Sequence, residues 1–259
     1  MNRATTRLGD ASIQYLEAGS GPPVVFFHGA GGPEANARFF PEMAARYRML
    51  APARPGFDGS TADVNSLPEV AELMADFIRQ IAGGPVALIG ESAGGAPACW
   101  LAILHPDLVS RLILVAPAAF ARHSEQPSGP APSPEEMDRR LFGDNPGWAS
   151  PPTPDETTLR RRNAAENMRR WTSPDGHKEL LARLHEIAAP TLILWGTEDT
   201  VIPQEQGQIY QREIPNSYLM YIYGAAHALP VAATDKFIEL ACDFIERGPE
   251  FLVNRGLSA

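Results

Sequence analysis

Val86–Pro97 reads VALIGESAGGAP. An apolar run of strand type ends in a serine set between Gly90 and Gly94, and further small residues follow. Burial alone does not call for this arrangement. A core strand has no use for Ser92, and a helix starting at Ala93 is weakened by Gly94 and Gly95. The pattern is Gly-x-Ser-x-Gly between a strand and a helix. In that setting the serine sits on a strained turn that holds its hydroxyl beyond the sheet, and the glycines let neighbouring backbone pass close by. Pro97 falls near the end of the first helical turn, where a missing N–H costs little.

A serine hydroxyl is a poor nucleophile until a base takes its proton. Of six histidines, His227 in YGAAHALP follows the last strand-like run and is expected at the same carboxyl edge as Ser92. His28 leads a glycine-rich turn in FFHGAGG, and His105, His123, His177 and His185 read as surface or structural residues. The base in turn needs an acid to fix its tautomer. WGTEDTVIP supplies Glu198 and Asp199. Asp199 is the choice, with Glu198 a solvated loop acid and an exchange of the two roles as the alternative. The chain order is then Ser92, Asp199, His227. Negative charge on a tetrahedral oxygen is usually met by two backbone N–H groups. Ala93, at a helix N-terminus, is one candidate. Ala30, in the HGAGG turn, is the other.

Outward from Ser92 the chain alternates. Residues 3–19 read as a hairpin around Gly9-Asp10. Short apolar runs follow at 24–27, 49–53, 86–90, 112–117, 191–196 and 218–224. Most are continuous, as parallel strands covered on both faces should be. Helical patterns separate them at Ala35–Tyr47, Pro68–Ile81, Ala93–Leu104, Gln204–Arg212 and Asp235–Arg247. The fold class is α/β, a mostly parallel sheet wrapped by helices. Ala118–Ile187 breaks the rhythm: it has dense proline, no strand run and two helical patches, around Glu135–Leu141 and Pro154–Trp171. It reads as an inserted cap or lid, with 1–117 and 188–259 forming the core domain; the alternative is a long surface loop, uncommon in compact domains unless functional or disordered. Phe120, Phe142, Trp148 and Trp171 lie in or beside it. They either line an apolar pocket or form the insert's own core.

The 259 residues carry a formal charge of −9, which argues against a nucleic-acid partner and an anionic membrane surface. Cys99 and Cys242 lie far apart with no ligand-spaced neighbours, so two reduced, buried thiols are expected and no metal site. The N-terminus has no apolar core of signal-peptide length and no stretch is long enough to span a bilayer, so a cytoplasmic protein is expected. The expected partner is a small-molecule substrate, with no cofactor; the sequence leaves the oligomeric state open.

Gly-x-Ser-x-Gly, His-Gly-x-Gly, RPGFDGS, GTEDTVIP and GAAHALP occur here in the order and spacing of the α/β-hydrolase superfamily, which the chain resembles over nearly its whole length outside the insert. The resemblance implies about eight strands, a cap after the sixth, and the triad above. Ala53 and Asp58 stand where the superfamily often has Asp and Gly. A serine nucleophile disfavours haloalkane dehalogenases and epoxide hydrolases, which use aspartate there. It permits esterases, lactonases, thioesterases and carbon–carbon bond hydrolases of dienoic ring-cleavage products. The last usually carry Trp after the histidine, where this chain has Ala228, and set a cap arginine against the substrate carboxylate. Arg160, Arg161, Arg162, Arg169 and Arg170 are available for that role, although an arginine-rich helix is more often a solvated face. The expectation is therefore a serine hydrolase of a small carboxylic ester, lactone or thioester, with the carbon–carbon hydrolase as the alternative. A non-catalytic binding module of the same fold is the further alternative, and the intact triad speaks against it.

Overall fold

The computed structural model describes residues 1–34, 37–118, 132–144 and 174–252, with isolated positions between 153 and 166. Eight strands form one sheet: β1 (Asn2–Leu8), β2 (Ala11–Ala18), β3 (Pro23–Phe27), β4 (Arg48–Pro52), β5 (Val86–Glu91), β6 (Val109–Val115), β7 (Thr191–Gly196) and β8 (Ser217–Ile222). Their order is β1-β2-β4-β3-β5-β6-β7-β8. The β1–β2 hairpin turns at Gly9, whose φ of 59° suits a residue without a side chain. It joins β4 antiparallel, and every pairing from β4 to β8 is parallel. The continuous apolar runs have the cause expected of them: β5 and β7 are buried at every position.

Side chains alternate across the sheet and feed two cores. Val25 and Phe27 face one core with Leu88, Met74 of α2 (Leu67–Phe77) and Trp100 of α3 (Gly95–Leu104). Val24 and Phe26 face the other with Ile89, Phe40 of α1 (Phe40–Met43) and Phe237 of the C-terminal helix Thr234–Arg247. Cys99 and Cys242 are buried free thiols in these opposite cores. Helix α2 begins where local chemistry starts it. Ser66 accepts the Glu69 N–H at 3.3 Å, and the Glu69 carboxylate accepts the Asn65 N–H at 2.9 Å. Pro68 fills the first turn, where no N–H is missed.

One expected helix is much shorter. In place of Ala35–Tyr47 there is a single 3₁₀ turn, Ala37–Phe39, followed by the one-turn α1. The chain must then bend at once into β4, and Gly19 abuts the carbonyls of Ala44 and Tyr47 so closely that a Cβ there would sit 2.3 Å from each.

Between β6 and β7 lie α4 (Pro134–Phe142), capped by Ser133, and α5 (Pro174–Arg183). Helix α5 packs on α3, and Leu180, Leu184 and Ile187 belong to the core on that face. Helix α6 (Glu205–Glu213) joins β7 to β8, and the one-turn α7 (Leu229–Ala232) precedes α8 (Thr234–Arg247). Among the described residues no helix is long and apolar enough to cross a membrane.

The chain leaves β3 for β4 on one side and returns to β5 on the other. The carboxyl ends of β3 and β5 are therefore neighbours at the point where the strand order reverses, with Phe27 paired to Gly90. Open α/β sheets place ligands at such a crevice.

Candidate active site

Ser92 follows β5 directly, and its φ is +48°. A non-glycine residue in that region stores roughly 1–3 kcal/mol of strain and persists only where the surroundings impose it. They do so here. A Cβ on Gly94 would lie 2.1 Å from the Phe27 carbonyl oxygen, and one on Gly95 would lie 2.3 Å from Pro117 Cβ. The small residues after the serine let two neighbouring strand ends press against the turn. After a 3₁₀ turn over Ser92–Gly94 the chain becomes α3.

The expected partners converge. His227 Nε2 is 2.9 Å from Ser92 Oγ, across 135 residues of chain. His227 Nδ1 is 2.8 Å from Asp199 Oδ2. The Asp199 side chain is wholly inaccessible to solvent and that of His227 nearly so. Asp199 Oδ1 accepts the backbone N–H groups of Val201 at 2.8 Å and Ile202 at 2.9 Å, so the carboxylate is held at both oxygens. Glu198, its neighbour, is exposed. With Oδ2 accepting from Nδ1–H, the Nε2 lone pair faces the serine hydroxyl.

The HGAGG turn lies beside Ser92: a Cβ on Gly29 would be 3.3 Å from Ser92 Cβ. Ala30 is exposed and Ala93 half-buried in the turn after Ser92. His28 is fully buried and takes no part in the triad. Its Nε2 accepts the Arg54 backbone N–H at 3.1 Å, which leaves the ring proton on Nδ1, 2.7 Å from the Gly29 carbonyl. Burial, then the nearby Arg54 cation, holds its pKa well below the usual histidine value. His105 bonds Glu72 and Arg79 near the surface, and His185 is exposed.

Of the residues expected in or beside the insert, Phe142 is buried against Ala228 and Val231, on the loop that carries His227. Phe120, Trp148 and Trp171 lie outside the described residues, as do Arg160, Arg161, Arg169 and Arg170; Arg162 is exposed. Two hydrogen bonds tie the chain between β6 and β7 to Ser92 and to the loop of His227. The Ala118 N–H donates to the Ser92 carbonyl at 2.8 Å, and the Ala228 N–H donates to Leu141 at the end of α4 at 2.8 Å.

Two residues went unread in the sequence. Arg54 looked like part of a turn motif, and Glu91 like the variable position before the serine. Both are buried. The signal available was only that each ionisable side chain closes or directly follows an apolar run, Met49–Ala53 before Arg54 and Val86–Gly90 before Glu91.

The chain belongs to the alpha/beta hydrolase family, whose model matches residues 24–240. It is similar to the 2-hydroxy-6-oxo-6-phenylhexa-2,4-dienoate hydrolase of Comamonas testosteroni, at 29% identity over 93% of each chain. It is also similar to the 2-hydroxy-6-oxo-6-(2'-aminophenyl)hexa-2,4-dienoic acid hydrolase of Metapseudomonas resinovorans, at 25% identity over 92% of this chain and 89% of that one. Among solved structures, a meta-cleavage product hydrolase from Pseudomonas fluorescens IP01 superposes with a TM-score of 0.73 at 21% identity, covering 91% of this chain and 94% of that one. A bacterial membrane phospholipase A superposes with a TM-score of 0.77 at 24% identity, covering 95% and 86%. At these identities the structural likenesses speak for the fold. The names of these two relatives, hydrolases of dienoic acids, match the alternative expected from the sequence better than a carboxylic ester hydrolase.

Proposed function

We propose that this chain is a serine hydrolase in which Ser92 is the nucleophile, His227 the general base and then acid, and Asp199 the group that orients and stabilises the imidazolium. The observation that carries the reading is the unbroken chain Asp199–His227–Ser92 at 2.8 and 2.9 Å. As Ser92 Oγ adds to a substrate carbonyl, His227 Nε2 takes its proton. The carbonyl oxygen becomes an anion that the N–H groups of Ala30 and Ala93 receive. Collapse of this intermediate breaks the bond to the leaving group; for a dienoate this requires its 2-oxo tautomer, in which the electron pair left on carbon delocalises into the 2-oxo group. His227 returns the proton to the leaving group, and water releases the acyl part from Ser92 by the same steps.

The substrate class is a vinylogous diketone acid cleaved at the bond between a keto carbon and a dienoate carbon. Relatives over nine-tenths of the chain carry such names. Ester hydrolysis is the second reading, and it has its own observation: the residue after His227 is the small, buried Ala228, packed against Phe142. Within the same proposal the chain between β6 and β7 caps Ser92, and its bonds to Ser92 and to the His227 loop support that placement. One experiment separates the readings. Purified protein is given 2-hydroxy-6-oxo-6-phenylhexa-2,4-dienoate and, separately, 4-nitrophenyl esters of graded acyl length. A kcat/KM for the dienoate well above that for every ester upholds the first reading, and the reverse order upholds the second.

A further inference from the structure

The guanidinium of Arg54 is almost wholly buried, yet it takes no part in the triad. It lies where the ends of β4, β3 and β5 meet. Nη1 donates to the Ala93 carbonyl at 2.8 Å. Nη2 donates to the His28 carbonyl at 2.9 Å and to the Gly29 carbonyl at 3.2 Å. Burial lowers its pKa only to about 10, so it remains a cation at neutral pH. Its two terminal nitrogens thus grip three backbone carbonyls on two separate segments of the chain.

The three carbonyls belong to the two segments that flank the Ser92 hydroxyl. A trans peptide is planar, with its N–H pointing opposite to its C=O. Fixing the Gly29 carbonyl therefore fixes the direction of the Ala30 N–H. That carbonyl accepts three donors: His28 Nδ1 at 2.7 Å, Arg54 Nη2 at 3.2 Å and the Gly32 N–H at 3.4 Å. Donors on a carbonyl polarise its peptide and make the N–H at the other end a stronger donor. The second segment is held in the same way. The Ser92 carbonyl, which shares a peptide with the Ala93 N–H, accepts from Ala118, and Arg54 holds the next carbonyl along.

We propose that Arg54 is a positioning residue of the oxyanion site: by gripping the carbonyls of His28, Gly29 and Ala93 at once, it sets the spacing of the two segments and aims and polarises the Ala30 N–H at the developing negative oxygen. The assignment rests on the reading of Ser92 as nucleophile. It deepens that reading by saying what makes two backbone segments, 63 residues apart between Ala30 and Ala93, act as one anion receptor.

The test uses the full chain with Arg54→Met and Arg54→Lys, and Ser92→Ala as the control. A fluorophosphonate probe reports attack by Ser92 without requiring the natural substrate. Its labelling is resolved into a binding constant, KI, and a maximal rate, kinact, per folded molecule. In Arg54→Met, kinact is expected to fall about 100-fold, the loss typical of one oxyanion donor, while KI moves by less than about threefold. Arg54→Lys keeps the charge but not the fork, and its kinact should fall about tenfold. A purely structural role would lower the melting temperature and leave kinact per folded molecule at the wild-type value. That result overturns the proposal. If Arg54→Met does not fold, Arg54→Lys decides in the same way. Failure of the wild type to label, or labelling of Ser92→Ala at the wild-type rate, overturns the serine reading and the Arg54 role with it. Wild-type labelling with undiminished Arg54 variants overturns the Arg54 role alone.

Discussion

Ala228 donates its backbone N–H to the carbonyl of Leu141 at 2.8 Å, so the residue after His227 is bonded to the end of helix α4. The His227 N–H faces the Arg140 carbonyl in the same way at 3.4 Å. Phe142, the last residue of α4, fills the space against Ala228 and Val231. The proposed base is thus steadied by the insert as well as by Asp199. Phe142→Ala should cost about 3–5 kcal/mol, the usual range for a buried phenylalanine. It should also lower kcat, because the His227 loop loses its packing. Urea unfolding and steady-state rates on the same preparation check both. Full stability in the variant would contradict the packing role.

Asp199→Asn should lower turnover by roughly 10⁴, because an amide at Oδ2 favours the wrong imidazole tautomer. Glu198→Gln, at an exposed position one residue earlier, should leave turnover near wild type. Paired kinetics of the two variants decide between them, and the reverse order would exchange their roles.

Ser92→Gly should abolish turnover and yet melt above the wild type. Glycine tolerates the φ of +48° that strains serine, and the net gain is about 1 kcal/mol after the extra entropy of the unfolded chain. Ser92→Ala should also be inactive but without that gain, since a Cβ remains. Thermal melts of the two variants side by side supply the test. Equal melting temperatures would mean that the turn is not strained.

His28 ties stability to pH. In the native state its pKa lies well below the ordinary 6.5, chiefly through burial. Between 6.5 and that depressed value the unfolded chain holds a proton that the native chain does not. Stability from this residue is therefore complete above about pH 6.5 and falls by up to about 1.4 kcal/mol per unit as pH drops below it. Urea midpoints of wild type and His28→Gln, measured from pH 7.5 to 5.5, should converge as pH falls. Parallel lines would show that His28 takes up no proton on unfolding.

What could be read from the sequence divides by range. The Ser92 turn, the hairpin at Gly9 and a helix beginning near Pro68 depend on residues a few positions apart, and the pattern shows them. The sequence offered Glu198 and Asp199 side by side on one loop, and of the two it is the Asp199 side chain that is buried against His227. Arg54 was not legible. Its neighbours in sequence describe a turn, and its role appears only where three strand ends meet. The helix expected at 35–47 failed for a related reason. Its apolar spacing is helical, but the close approach of Gly19 to Ala44 and Tyr47 is a matter of tertiary packing.

The 135 residues between Ser92 and His227 have a consequence for the order of assembly. Ser92, the HGAGG turn and Arg54 all lie before residue 100, and their strands pair with one another. His227 follows β8 in the chain, and β8 pairs with β7 at the far edge of the sheet. By that order, a chain emerging from the ribosome would carry Ser92 without its proposed base until its last quarter is made. In refolding experiments, recovery of turnover should lag behind burial of Trp100 and keep pace with docking of β8, so that enzymatic activity serves as a clock for the final step of folding.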